Sequence, residues 1–152
     1  MKIKMDSHPL HIILADDDES DRTNFIEALE ESRIRTVVHT VQDGVELMDH
    51  LAREDTPLPH LLFLDLNMPR KNGLTCLREI RGNERLKAVA VAIYSTSSYD
   101  KDIEETFHNG ANVYIRKPTD FSILKQVLDK VLSAAYVYRE PPFSIANFIL
   151  RV

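Results

Sequence analysis

The chain alternates between short runs of consecutive apolar residues and longer stretches in which apolar residues recur every three or four positions. The short runs are rich in β-branched residues and read as strands at His11–Ala15, Thr36–Val41, Leu61–Asp65, Val89–Tyr94 and Val113–Arg116. Their nearly continuous apolar character suits strands buried on both faces, as in a parallel sheet. Helical spacing fills the intervals, carried by Phe25, Ile26 and Leu29, then Leu47, Met48 and Leu51, then Leu74, Leu77 and Ile80, then Tyr99, Ile103 and Phe107. Leu124, Val127, Leu128, Val131, Leu132 and Ala135 form the clearest helical stripe. The pattern predicts an α/β fold, a doubly wound five-stranded parallel sheet with five helices.

No internal linker or repeat interrupts this alternation, so residues 10–138 are expected to form one domain. A flexible N-terminus at 1–9 precedes it, and an apolar tail at 139–152 follows the helix-ending pair Pro141-Pro142. The tail carries Phe143, Ile145, Phe148, Ile149 and Leu150, too apolar to remain free in water. It is expected either to dock on its own last helix or to build a homodimer.

Composition narrows the classes. With 43% hydrophobic and 28% charged residues, the chain has a folded rather than a disordered balance. A net charge of -5 without a long basic run argues against direct nucleic-acid binding. No stretch approaches the ~20 apolar residues of a membrane span, and the N-terminus lacks a signal-peptide core, so a cytoplasmic location is expected. Cys76 has no partner for an internal disulfide and reads as a core residue, and the six histidines lack metal-ligand spacing.

Chemistry concentrates where strands end. Asp16 and Asp17 follow the first strand, Asp65 ends the third, Ser95 follows the fourth and Lys117 follows the fifth. In an open parallel sheet these positions meet at the carboxyl edge, where ligands bind. Each has an ordinary reading alone: Asp18 or Ser20 as a helix N-cap, Lys117-Pro118 as a turn. Together they form a set. Clustered carboxylates repel unless a cation joins them, and hard oxygen donors suit Mg²⁺. Asp65 then becomes a nucleophile toward a phosphoryl group, with Lys117 neutralising charge and Ser95 donating a hydrogen bond.

These residues, in Ile12-Ile13-Leu14-Ala15-Asp16-Asp17-Asp18, Phe63-Leu64-Asp65-Leu66-Asn67-Met68-Pro69 with Gly73, Tyr94-Ser95-Thr96 and Tyr114-Ile115-Arg116-Lys117-Pro118, resemble the receiver domain of two-component response regulators. The resemblance implies a flavodoxin-like fold. It implies that Asp65 accepts a phosphoryl group from a histidine kinase or a histidine phosphotransfer protein, forming an aspartyl phosphate. Mg²⁺ would be held by Asp17, Asp65 and the backbone carbonyl of Asn67, with Asp16 acting largely through water. Ser95 and Tyr114 match the switch pair, a hydroxyl that moves toward phosphate and an aromatic ring that follows inward. Thr96 departs from the smaller residue common there, and Ala15 from a larger aliphatic.

The resemblance is to a stand-alone, single-domain type, and Leu64 to Gly73 together with the Tyr-rich helix end is similar to small regulators paired with phytochrome-type kinases. Such a protein is a phosphoacceptor signalling domain rather than an enzyme, assisting its own phosphorylation and dephosphorylation. The alternative is an aspartyl-nucleophile phosphohydrolase acting on a small molecule. Those enzymes place a second carboxylate two residues after the nucleophile, where this chain has Asn67. A receiver-shaped binding module that never uses phosphate is a third possibility.

Overall fold

In the computed structural model, residues 5–137 and 150–151 are described. Strands β1 (Met5–Ala15), β2 (Ile34–Val41), β3 (Leu61–Leu64), β4 (Ala90–Ser95) and β5 (Val113–Arg116) alternate with helices α1 (Glu19–Glu30), α2 (Gly44–Ala52), α3 (Gly73–Arg81), α4 (Asp100–His108) and α5 (Phe121–Val137). All strand pairs are parallel, and the order β2-β1-β3-β4-β5 is the expected doubly wound arrangement. The order reverses at β1, which lies between β2 and β3. A crevice therefore opens beyond the carboxyl ends of β1 and β3.

The sheet separates two cores. A run of uniformly apolar residues carries no alternation of its own, so the pleat alone decides which face each side chain joins. Ile12, Leu14, Phe63, Tyr94 and Ile115 pack with Phe25 of α1 and with Leu124, Leu128 and Leu132 of α5. Ile13, Leu62, Leu64, Ile93 and Tyr114 pack with Leu47, Leu77 and Ile103 of α2, α3 and α4. Cys76 is fully buried in this second core, as expected.

Besides β2, which starts two residues early, and β4, which is displaced by one residue, three features differ from the sequence reading. β1 starts at Met5, so part of the segment expected to be flexible is strand. Met5 pairs with Ile34 and Leu10 with Thr36, and the register shifts between them across the polar stretch holding Pro9. Such a bulge accommodates residues that a ladder cannot. Asp65 falls just beyond β3, its amide donating to the Ala15 carbonyl at 3.0 Å. Finally, Leu150–Arg151 adds a short strand β6 parallel to β5, opposite Val113 and Tyr114, which extends the sheet to six strands. The remaining apolar tail positions, Phe143, Ile145, Phe148 and Ile149, lie outside the described residues.

Candidate functional site

Backbone packing fixes where Asp65 sits. The β3–α3 loop turns back so that the Gly73 amide donates to the Leu66 carbonyl at 3.0 Å. A Cβ on Gly73 would collide with the Asp65 carbonyl oxygen, so only glycine allows α3 to start this close. Arg70, in the left-handed region at φ 66°, directs its guanidinium to Asp43, the N-cap of α2, at 2.8 Å. The Glu46 amide first, and then Arg70, hold the Asp43 carboxyl below its ordinary range. Between them the loop carrying Asp65 is clamped at both ends.

The first strand delivers Asp16 fully buried and Asp17 exposed. Asp16 Oδ1 accepts from the Asp18 amide at 3.0 Å, while Arg22 donates to the Asp16 carbonyl at 2.9 Å. Asp18 is the N-cap of α1, as one of the two ordinary readings anticipated, and accepts from the Asp21 amide. Carboxylate oxygens of Asp16, Asp17 and Asp65 lie within 4.8 Å of one another. Among the described residues this is the one His, Cys, Asp or Glu group able to hold a metal ion.

Lys117 enters from the end of β5, its amide donating to the Ser95 carbonyl at 2.7 Å. Its side chain is only 8% exposed, and Nζ lies 2.8 Å from Asp21 Oδ2, 2.9 Å from Asp16 Oδ2 and 3.0 Å from Asp65 Oδ2. It also sits 5.4 Å from the centre of the buried Tyr94 ring, a cation–π contact. Burial pushes the ammonium down, but the carboxylates of Asp21, Asp16 and Asp65 outweigh it and hold its pKa above the usual lysine value. Lys117 is thus charged at neutral pH.

Asp16 has the opposite balance. Burial pushes its carboxyl up to about 6, against the lowering contributions of Lys117 and the Asp18 amide. Its Oδ2 is buried without any hydrogen-bond partner, and the ammonium faces it only as an ion pair. The ammonium at 2.9 Å offsets the charge on that oxygen only in part, since burial still dominates the carboxyl's raised pKa. An orphaned carboxylate oxygen beside two further carboxylates fits a hard divalent cation, by donor type and by the unmet need for positive charge.

The remaining expected residues, Asn67, Ser95 and Tyr114, lie in the β3–α3 loop, at the end of β4 and within β5. The Asn67 amide donates to Asp65 Oδ1 at 3.2 Å, in the loop that also lines a small polar cavity with Asp102 and Glu105 of α4. Ser95 is fully buried at the end of β4, beside β3, and accepts from the Ser97 amide at 3.1 Å. The Tyr114 ring is buried and its hydroxyl donates to the Ser97 carbonyl at 2.9 Å. Ser97 Oγ in turn donates to Asp102 Oδ2. Thr96, one residue after Ser95, is exposed.

Sequence reasoning missed two contributors. Asp21 looked like any acidic residue in a first helical turn, where the helix dipole alone explains it. Only the fold, which brings the first turn of α1 to the residue after β5, makes it a partner of Lys117. Tyr94 marks only the end of an apolar run in the sequence; in the structure it is a core aromatic in edge contact with Phe25 and Phe63, and its place under the lysine needed the fold.

Known proteins resemble this chain in sequence and in fold. The family model for the response regulator receiver domain matches residues 12–129. The chain is 30% identical over 129 residues to response regulator Rcp1 of Synechocystis, covering 82% of this chain and 88% of that one. It is 29% identical over 126 residues to a probable methanogenesis regulatory protein, FilR2, of Methanothrix harundinacea, covering 81% of each. Among solved structures, a phosphorylated cyanobacterial phytochrome response regulator, RcpA, superposes with a TM-score of 0.78 at 32% identity, covering 85% of this chain and 95% of that one. A Mn(2+)-bound form of Rcp1 gives 0.75 at 30% identity over 82% and 93% of the two chains. With the family model spanning most of its length and the carboxylates gathered where its strand order reverses, this chain belongs to the response regulator receiver domain family.

Proposed function

We propose that the protein is a single-domain response regulator in which Asp65 accepts a phosphoryl group from a histidine kinase or histidine phosphotransfer protein. Asp16, Asp17, Asp65 and the backbone carbonyl of Asn67 would hold Mg²⁺. Bound there, the ion would supply positive charge to the carboxylates and to incoming phosphoryl oxygens. A carboxylate oxygen of Asp65 attacks phosphorus, the bond from phosphorus to the donor nitrogen breaks, and the donor imidazole keeps that electron pair. Lys117 offers its ammonium to the transferred group, and Ser95 offers a hydroxyl hydrogen bond. The buried Asp16 oxygen that accepts no hydrogen bond, beside Asp17 and Asp65, carries this reading.

Phosphate on Asp65 gives Lys117 and Ser95 a new partner, and a two-state equilibrium shifts by that difference. Ser95 Oγ accepts from the Ser97 amide and can still donate its proton to phosphate, so a turn toward phosphate would pull on Ser97, which holds Tyr114 and Asp102. Tyr114 then reports the change at the surface of α4 and β5. Output is partner binding or onward phosphotransfer by residues 10–138, in the cytoplasm. None of the helices among the described residues is long and apolar enough to cross a membrane. The apolar tail adds a homodimer to the proposal; truncation after Glu140 should halve a dimer's mass by light scattering, and an unchanged mass removes the tail from the interface.

The test is incubation with acetyl phosphate and Mg²⁺. Wild type should take up phosphate and Asp65→Asn should not; equal labelling of both contradicts the assignment. Phosphorylation of Asp65 without turnover of small phosphoesters separates the receiver from a phosphohydrolase.

A further inference from the structure

Lys117 has three carboxylate partners, and they differ in kind. Asp16 and Asp65 belong to the group whose oxygens lie within 4.8 Å of Asp17. Asp21 does not, although its contact with the ammonium is the shortest of the three at 2.8 Å and is a full hydrogen bond. Its position is set independently, by the first turn of α1 and the cap bond from its own amide to Asp18. Asp21 is 35% exposed, whereas Asp16 and Asp65 are buried.

A divalent cation among Asp16, Asp17 and Asp65 would stand within a few ångströms of the ammonium that now contacts two of those residues. Like charges at that range repel, and the ion would compete with Lys117 for the same oxygens. Lys117 must then give up Asp16 and Asp65 in whole or in part. Asp21 is the one carboxylate of the three that it can keep. When the phosphoryl group arrives, the same contact competes with phosphate for the ammonium.

On the reading that Asp65 is a Mg²⁺-dependent phosphoacceptor, we propose that Asp21 is a positioning residue for Lys117. It retains the lysine while metal binds, and it must be released for the lysine to engage phosphate. The two roles act in opposite directions. Losing Asp21 leaves Lys117 clinging to the metal's oxygens and removes a nearby negative charge, so Mg²⁺ binds more weakly. At saturating Mg²⁺ the lysine is freer to meet the phosphoryl group, so phosphorylation proceeds faster.

Calorimetric Mg²⁺ titration of the unphosphorylated protein, together with acetyl phosphate labelling across Mg²⁺ concentrations, reads both effects. Asp21→Asn and Asp21→Ala should raise the Mg²⁺ dissociation constant about 3- to 10-fold, the size expected for one partly exposed charge. The labelling rate at saturating Mg²⁺ should rise at least about twofold. Asp21→Glu, which keeps the charge on a longer arm, should restore most of the Mg²⁺ affinity. An unchanged dissociation constant in both variants, or a fall in the saturated rate, overturns the proposal and makes Lys117–Asp21 an ordinary ion pair. Because the position is partly exposed, both variants should fold, and circular dichroism confirms it. Wild type that binds Mg²⁺ and labels Asp65 upholds the receiver reading even if Asp21 proves inert. Wild type that binds no Mg²⁺ defeats both.

Discussion

The two ends of the sheet handle buried charge in opposite ways. At the amino ends of β4 and β5, the half-buried Arg81 guanidinium donates to the carbonyls of Lys87, Val89 and Gly110, the last from two nitrogens, and to Asn112 Oδ1. That uses every donor an arginine has. At the carboxyl ends, the carboxylates of Asp16, Asp65 and Asp21 gather around the ammonium of Lys117, Asp17 stands beside the first two, and one buried oxygen accepts no hydrogen bond among the described residues. The first arrangement is complete and ties two loops together. The second is left short of positive charge by the protein itself, and a fold maintains such a deficit only where rigid packing enforces it. Gly73 and the Arg70–Asp43 pair supply that packing. Saturation marks structure here, and unmet demand marks function.

Breaking the saturated end should have the largest effect on stability. Arg81→Met leaves four acceptors short of donors and should cost about 3–5 kcal/mol in urea unfolding, with Mg²⁺ affinity unchanged if the protein is kept folded. A large loss of Mg²⁺ affinity would instead couple the two ends. Gly73→Ala attacks the backing of the functional end. A Cβ forced against the Asp65 carbonyl should cost about 2–3 kcal/mol and, unlike Arg81→Met, should also lower Asp65 labelling.

Asp16→Asn should separate binding from stability by sign. Removing an ill-satisfied buried charge should stabilise the metal-free protein by about 1 kcal/mol at neutral pH while weakening Mg²⁺ at least about tenfold. Its pH dependence follows from the raised pKa. Between the usual 3.8 and about 6, the folded Asp16 holds more proton than the unfolded one, so its contribution is favourable in acid and is lost as pH rises through about 6. The stability difference between Asp16→Asn and wild type should therefore grow over that window, and Mg²⁺ should abolish the growth. Tyr114→Phe should have the smallest effect, about 0.5–1.5 kcal/mol for the bond to the Ser97 carbonyl. Its telling readout is the amide shifts of the β4–α4 loop.

The same contrast explains what the sequence could reveal. Uniform apolar runs declared the strands, and the carboxylates, hydroxyl and lysine that broke those runs declared their carboxyl ends. Asp16, Asp65, Ser95 and Lys117 were legible because a polar group at the end of a buried strand is conspicuous. Asp21 was not, since an acid in the first turn of a helix already has a reason to be there. Arg81 was equally silent. Its acceptors are mostly backbone carbonyls from two loops, and no side-chain pattern encodes those. β1 began early because Met5 can pair with Ile34 across a bulge that the polar stretch before Leu10 conceals.

Mapping of the phosphoryl group by peptide mass spectrometry, after treatment with acetyl phosphate in Mg²⁺ or in chelator, tests the functional end most directly. Label is expected on Asp65 alone, and only with Mg²⁺ present. Label on another carboxylate, or equal label on Asp65 in chelator, would contradict the Asp65 assignment.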